Sequence, residues 1–219
     1  MSDPQDAEAS PPPRKMSRAT RRQQLIDATI EVLALRGFAR TTLTEVARTA
    51  GLSHGLVNFH FESKEKLLTE TLLYMTEEYR ENWMRYLAEA GPDAAQQLDA
   101  LLRADLDPAI CTPSRLMAWL AFWGETQGLP LYQERAGEND SRYIQMMEEI
   151  CGRLMTEGGY HGHVQRVARV LRVTTEGVWL DMMTMTTPYD ITESQATIYA
   201  GAAAFFPRHF GPEGLIQPR

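Results

Sequence analysis

Apolar residues recur every three to four positions along nearly the whole chain, and no stretch alternates with the period of two expected of a strand. Leu25, Ile26, Ala28, Thr29, Val32 and Leu33 share one face and predict a first helix over residues 20–36, stopped by Gly37. Val46, Ala47 and Ala50 mark a shorter helix, which Thr44 is placed to cap and Gly51 to end in the left-handed conformation. Ser53 caps a third helix, and Ser63 caps a long fourth one that runs to Ala90 before Gly91-Pro92. Helical tracts follow over residues 93–106, 114–127, 140–156, 163–185 and 192–209, punctuated by Pro108, Pro113, Gly128, Pro130, Gly158, Gly159 and Pro188. The reading is an all-α protein of about nine helices, without a visible internal repeat.

Two short amphipathic helices joined by a Gly-centred turn form the helix-turn-helix, which lays its second helix in the DNA major groove. The first amides of both helices are free donors at positive dipole ends, suited to phosphates, and Ser53 stands at the start of the second. His54, Gly55 and Asn58 fall early on that second helix, where base edges are read. Asn pairs in bidentate fashion with adenine, and Gly55 permits close approach. Leu56 and Val57 are core anchors or contacts to thymine methyls, the core role going first to Leu56.

Residues 20–68 resemble the DNA-binding domain of the TetR family of transcriptional regulators. The resemblance runs through Leu25-Ile26-Asp27-Ala28, Gly37-Phe38, Thr41-Thr42-Leu43-Thr44, Val46-Ala47, Ala50-Gly51-Leu52-Ser53, His60-Phe61, Ser63-Lys64-Glu65 and Leu67-Leu68. It implies that Thr42, Thr44, Phe59, His60 and Lys64 clamp the DNA backbone, with Phe59 lacking the hydroxyl of the tyrosine common there. The remainder is similar, more thinly, to the ligand domain of the choline-responsive BetI subgroup, through Ala118-Trp119-Leu120-Ala121-Phe122-Trp123, Pro130 and Glu176-Gly177-Val178-Trp179-Leu180. Together these imply a homodimer on a near-palindromic double-stranded operator, acting as a repressor that a small-molecule effector releases.

Trp119, Phe122 and Trp123 are three and four apart, which puts them on one side of a helix, while Trp179 stands on a later one. An aromatic-rich core accounts for such a cluster. The subgroup resemblance adds a second reading: Trp119, Phe122, Trp123 and Trp179 as a cage for a quaternary ammonium, with Glu176, Glu125 or Asp181 as counter-charge. An uncharged or lipophilic effector is the alternative, and so is a thiol-based redox regulator using Cys111 and Cys151. Two cysteines are too few for a disulfide framework and read as reduced core thiols.

The net charge of −7 argues against DNA binding, but its distribution does not. Residues 14–66 carry 10 basic and 5 acidic side chains, and the excess of acid lies in the flanking segments. Pro-rich residues 1–17 are expected to be a disordered arm, with Arg14 and Lys15 near its end and Arg18 just after it, residues 18–66 the DNA-binding domain, and residues 67–219 the ligand-binding and dimerisation domain. Dimerisation is expected on the last two helices, residues 165–185 and 193–206, through Ala196, Ala200, Gly201, Ala203 and Ala204 with Phe205 and Phe206 as anchors. No apolar run reaches the ~20 residues of a membrane span, and no secretory signal is visible, so the chain is expected in the cytoplasm. His161-Gly-His163 lacks a third ligand nearby, and no nucleophile or phosphate-loop motif occurs, so neither an enzyme nor a metal or cofactor site is expected.

Overall fold

The computed structural model describes residues 17–125, 130–187 and 190–216. Its helices are α1 (Arg18–Arg40), α2 (Leu43–Ala50), α3 (His54–Phe61), α4 (Lys64–Glu89), α5 (Ala94–Ala104), α6 (Pro113–Trp123), α7 (Pro130–Gly158), α8 (Val164–Thr184) and α9 (Ile191–Phe205). A two-residue hairpin, β1 (Phe210–Gly211) with β2 (Gly214–Leu215), closes the chain. It is too short to leave a period-two signal, so the sequence pattern does not predict it.

Local chemistry sets most of the ends. Ser17, Ser53, Ser63, Asp93, Thr112 and Asp190 each cap a helix by accepting an amide hydrogen bond three residues on. The expected cap at Thr44 is corrected: Thr42 receives the Glu45 amide, and Thr44 is the second residue of α2. Gly37, with φ of 73°, breaks the helical path of α1 where the sequence placed its stop, although the helix resumes as far as Arg40. Of the expected arm, residues 1–16 lie outside the described residues, while Ser17 already caps α1 and Arg18 begins it. The tract expected to reach Gln127 ends at Trp123 within the described chain, and α7 begins at Pro130, ten residues before its expected start.

Two cores result. The first joins α1, α2, α3 and the start of α4 through Leu25, Leu33, Val46, Val57, Phe61 and Leu67, and it also takes in Ala118 and Phe122 from α6. The second joins α4 to the helices after it, around Trp83, Leu98, Leu101, Met147, Leu171, Trp179 and Phe206. Helix α4 contributes to both, Leu68, Leu72 and Met75 to the first and Trp83 to the second.

Candidate functional site

On α3, the buried side is Val57, His60 and Phe61, which leaves His54, Gly55, Asn58 and Phe59 on the open side. The core role expected of Leu56 therefore passes to Val57, which is fully buried, while Leu56 is half-buried. Thr42, Thr44 and Ser53 are exposed beside this face. Asn58 and His54 are in hydrogen-bond contact through Nδ2 and Nδ1 at 3.3 Å, so the two base-reading candidates orient each other.

His60 is corrected from a backbone clamp to a packed side chain, 7% exposed. Burial lowers its pKa below the ordinary histidine value, with the positive charges of Arg18 and Arg22 adding to the effect. Its neighbour Phe59 stands 65% exposed, with the Arg18 guanidinium 5.4 Å from its ring centroid. Lys64 is half-buried and donates from Nζ to the carbonyls of Phe38 and Ala39 at 3.2 and 3.1 Å, which ties the start of α4 to the end of α1.

A cavity of about 240 Å³ opens in the second core. At ~30 Å³ per water in the liquid it has room for about eight waters, a scale suited to a small ligand. Trp119 and Trp123 reach it from α6, Tyr79 from α4, Tyr143 from α7, and Trp179 with Glu176 from α8. Glu176 is ion-paired with Arg172 one turn earlier. Tyr79 and Trp179 meet edge to face, ring centroids 5.9 Å apart, and Tyr79 and Tyr143 lie 5.7 Å apart.

Phe122 does not line this cavity. It is fully buried in the first core against Phe38, and its expected place in the cage is corrected accordingly. Residues three and four apart span a wide arc of a helix, and α6 is buried on both sides, so spacing alone cannot assign its residues to one surface.

Asp105, which no sequence motif singles out, lines the cavity as the C-cap of α5. It is 2% exposed; the hydroxyls of Tyr79 and Tyr143 each donate to one of its carboxylate oxygens at 2.8 Å, and Trp179 Nε1 donates to its carbonyl at 2.9 Å. Burial raises its pKa to about 7 against the opposing effect of the two hydroxyls, and Glu176 adds to the rise. A lone aspartate after a helix carries no sequence signal, since a C-cap acid is ordinarily solvated. Of the other expected counter-charges, Asp181 is exposed, and neither it nor the half-buried Glu125 lines the cavity.

Both cysteines are free, Cys151 buried and Cys111 half-buried. Burial pushes the Cys151 thiol up to about 12 and that of Cys111 up to about 11, so neither forms the thiolate that redox chemistry needs near neutral pH. Helix α8 exposes Val170, Val173 and Leu180, and α9 exposes Ala200 and Ala204. Phe206, expected as an interface anchor, is instead fully buried within the chain, with Tyr160 packed edge to face on it at 5.4 Å. Among the described residues no helix is long and apolar enough to cross a membrane.

Comparison with known proteins bears on both halves. Residues 25–71 match the model of bacterial regulatory proteins of the tetR family, and residues 94–207 that of the C-terminal part of BetI-type transcriptional repressors. The chain is 31% identical over 168 residues to the HTH-type transcriptional regulator BetI of Stenotrophomonas maltophilia, covering 77% of this chain and 84% of that one. It is 27% identical to the protein of the same name in Escherichia coli K12, over 84% of this chain and 93% of the relative. Among solved structures, a transcriptional regulator of Pseudomonas aeruginosa PAO1 superposes with a TM-score of 0.75 at 23% identity, covering 88% of this chain and 93% of that one. A transcriptional regulator of Saccharomonospora viridis solved in complex with choline superposes with a TM-score of 0.71 at 18% identity, covering 88% and 98%.

Proposed function

Because the chain belongs to the TetR family of bacterial regulatory proteins, with a C-terminal part of the BetI type, it is a DNA-binding transcriptional regulator, and we propose that it is a homodimeric repressor released from its operator by a small organic cation. The observation that carries the cation reading is the cavity's lining: three tryptophans and two tyrosines around the carboxyl of Asp105. Aromatic faces attract a cation by about 0.5–2 kcal/mol each, and a quaternary ammonium, unable to donate hydrogen bonds, gains most from such a lining. The choline found in the Saccharomonospora viridis protein supports the same chemistry here.

In this reading residues 18–66 hold DNA and residues 67–219 hold the effector and the partner subunit. Thr42, Thr44, Ser53 and Lys64 serve the phosphates, with His54, Gly55, Asn58 and Phe59 toward the groove. The link is α6, whose Trp119 and Trp123 line the cavity while Ala118 and Phe122 are packed into the DNA-binding core. At its other end, Arg115 is paired in bidentate fashion with Glu78 at 2.8 and 2.6 Å, and the Ser114 hydroxyl donates to Glu31 of α1 at 3.0 Å. A cation drawing in the indoles displaces α6, and the packed Phe122 carries that displacement to α1 and the reading heads.

The test is a gel shift on DNA upstream of the gene, titrated with choline and with tetramethylammonium. Release by either, together with quenching of tryptophan fluorescence, supports the reading; release only by uncharged or long-chain compounds refutes the cation and leaves the regulator standing. Trp123→Ala is expected to abolish the response while keeping DNA binding without effector.

A further inference from the structure

Asp105 is an unusual group to find in a cavity wall. It sits at the C-terminal end of α5, where the helix dipole is negative, and no ion pair among the described residues includes it. Its two hydrogen-bond donors, Tyr79 and Tyr143, are neutral, and burial keeps both hydroxyls well above the ordinary tyrosine range. An ionised carboxylate so enclosed lacks a counter-charge, and it can remain neutral only by holding a proton.

The elements around it supply no compensation. From α8, Glu176 faces it with negative charge, and Arg172 is committed to Glu176. Asp140 of α7 also borders the cavity, its own pKa raised by burial and then by Glu176. From α6, Arg115 is committed to Glu78 of α4. In the loop after α5, Asp107 is paired with Arg85 of α4, and Cys111 stays a thiol, its pKa pushed up to about 11. On α5 itself, Arg103 is paired with Asp99.

We propose that Asp105 takes the effector's cation in exchange for its own proton, so that the affinity of the regulator for its effector depends on pH. One cation enters and one proton leaves to bulk water, the two tyrosine hydroxyls remain on the carboxylate, and the charge in the cavity is unchanged. With the carboxyl titrating at about 7, the exchange falls in the physiological range, and the effector binds more weakly as the interior acidifies. The inference rests on the cationic reading of the cavity given above.

The experiment is calorimetric titration of the full-length protein with tetramethylammonium, which has no titratable group, in pairs of buffers that differ in ionisation enthalpy. At about pH 6 close to one proton per bound cation is expected to be released, and almost none at about pH 8, with roughly tenfold weaker binding at the lower pH. Asp105→Asn is expected to bind the cation weakly at both pH values with no proton released, whereas Asp140→Asn is expected to keep the exchange. Cation binding without proton release and with pH-independent affinity overturns the exchange but leaves the cationic effector in place. Loss of the exchange in Asp140→Asn but not in Asp105→Asn also overturns the proposal. Absence of binding at both pH values overturns the cationic reading and the exchange with it.

Discussion

The ring of Phe122 meets that of Phe38 edge to face, centroids 6.0 Å apart and planes at 72°, so that the helix carrying two cavity tryptophans is packed into the core of the DNA-reading unit. Phe38 follows the break in α1 at Gly37, and the Lys64 ammonium lies 5.7 Å from its ring, so one short segment at the end of α1 meets both α4 and α6. In the proposed mechanism a displacement of α6 by effector would reach the helix-turn-helix through these packed side chains.

Phe122→Ala is expected to destabilise the chain by about 3–5 kcal/mol, because it leaves a cavity in a fully enclosed site. Thermal unfolding measures this. Phe122→Leu keeps most of the volume and should fold; it is expected to bind both DNA and the organic cation while losing part of the coupling between them, read as a smaller change in operator affinity at saturating effector.

Lys64→Ala removes a donor to two carbonyls and, in the proposed docking on DNA, a partner for a phosphate. It is expected to cost on the order of 1 kcal/mol of stability and to weaken binding to all DNA sequences alike, lowering the salt slope by ~0.9 for each phosphate no longer neutralised, or about two per dimer. Asn58→Ala should instead alter base preference with an unchanged salt slope. Gel-shift titrations across salt concentrations separate the two, and an unaltered slope in Lys64→Ala would exclude the phosphate role.

Ala200→Arg places a long cation on the exposed side of α9, the helix that packs against α8 with its exposed Val173 and Leu180. In a dimer seam this costs more than the ~1–3 kcal/mol of overpacking, because the charge is buried as well. Sedimentation velocity is expected to show monomers; an unchanged dimer would move the interface to another surface.

Asp105 also makes stability pH-dependent. Its folded pKa, raised to about 7, lies above the ~4 of an unfolded aspartate, so between those values the folded state holds the extra proton. Stability contributed by this group is therefore full below ~4, declines as pH rises toward 7 and is flat above it, a change on the order of 4 kcal/mol. Asp105→Asn should remove that decline and raise the melting temperature at about pH 8 more than at about pH 5, as scanning calorimetry would report.

Helices, their caps and the helix-turn-helix were legible because each follows from neighbours in the chain: Ser53 and Ser63 accept amides three residues on, and Gly51 needs no distant partner to turn left-handed. The Thr44 error is of the same local kind, two threonines competing for one cap, and only the hydrogen bond to the Glu45 amide selects Thr42. Exposure on α3 was legible for Asn58 and Phe59, but the burial of His60 was not.

The cavity depended most on tertiary structure. Trp119, Trp123 and Trp179 were visible as an unusual aromatic cluster, yet Phe122 shares their spacing and faces the other core, because α6 is sandwiched between two bodies. Tyr79, Asp105 and Tyr143 lie 26 and 38 residues apart, and no local pattern joins them. Periodicity and capping, which act within a few residues, settle which segments are helical and where the DNA-reading unit lies. Burial of a carboxyl between two tyrosines arises only when helices distant in sequence close around a common space and exclude water.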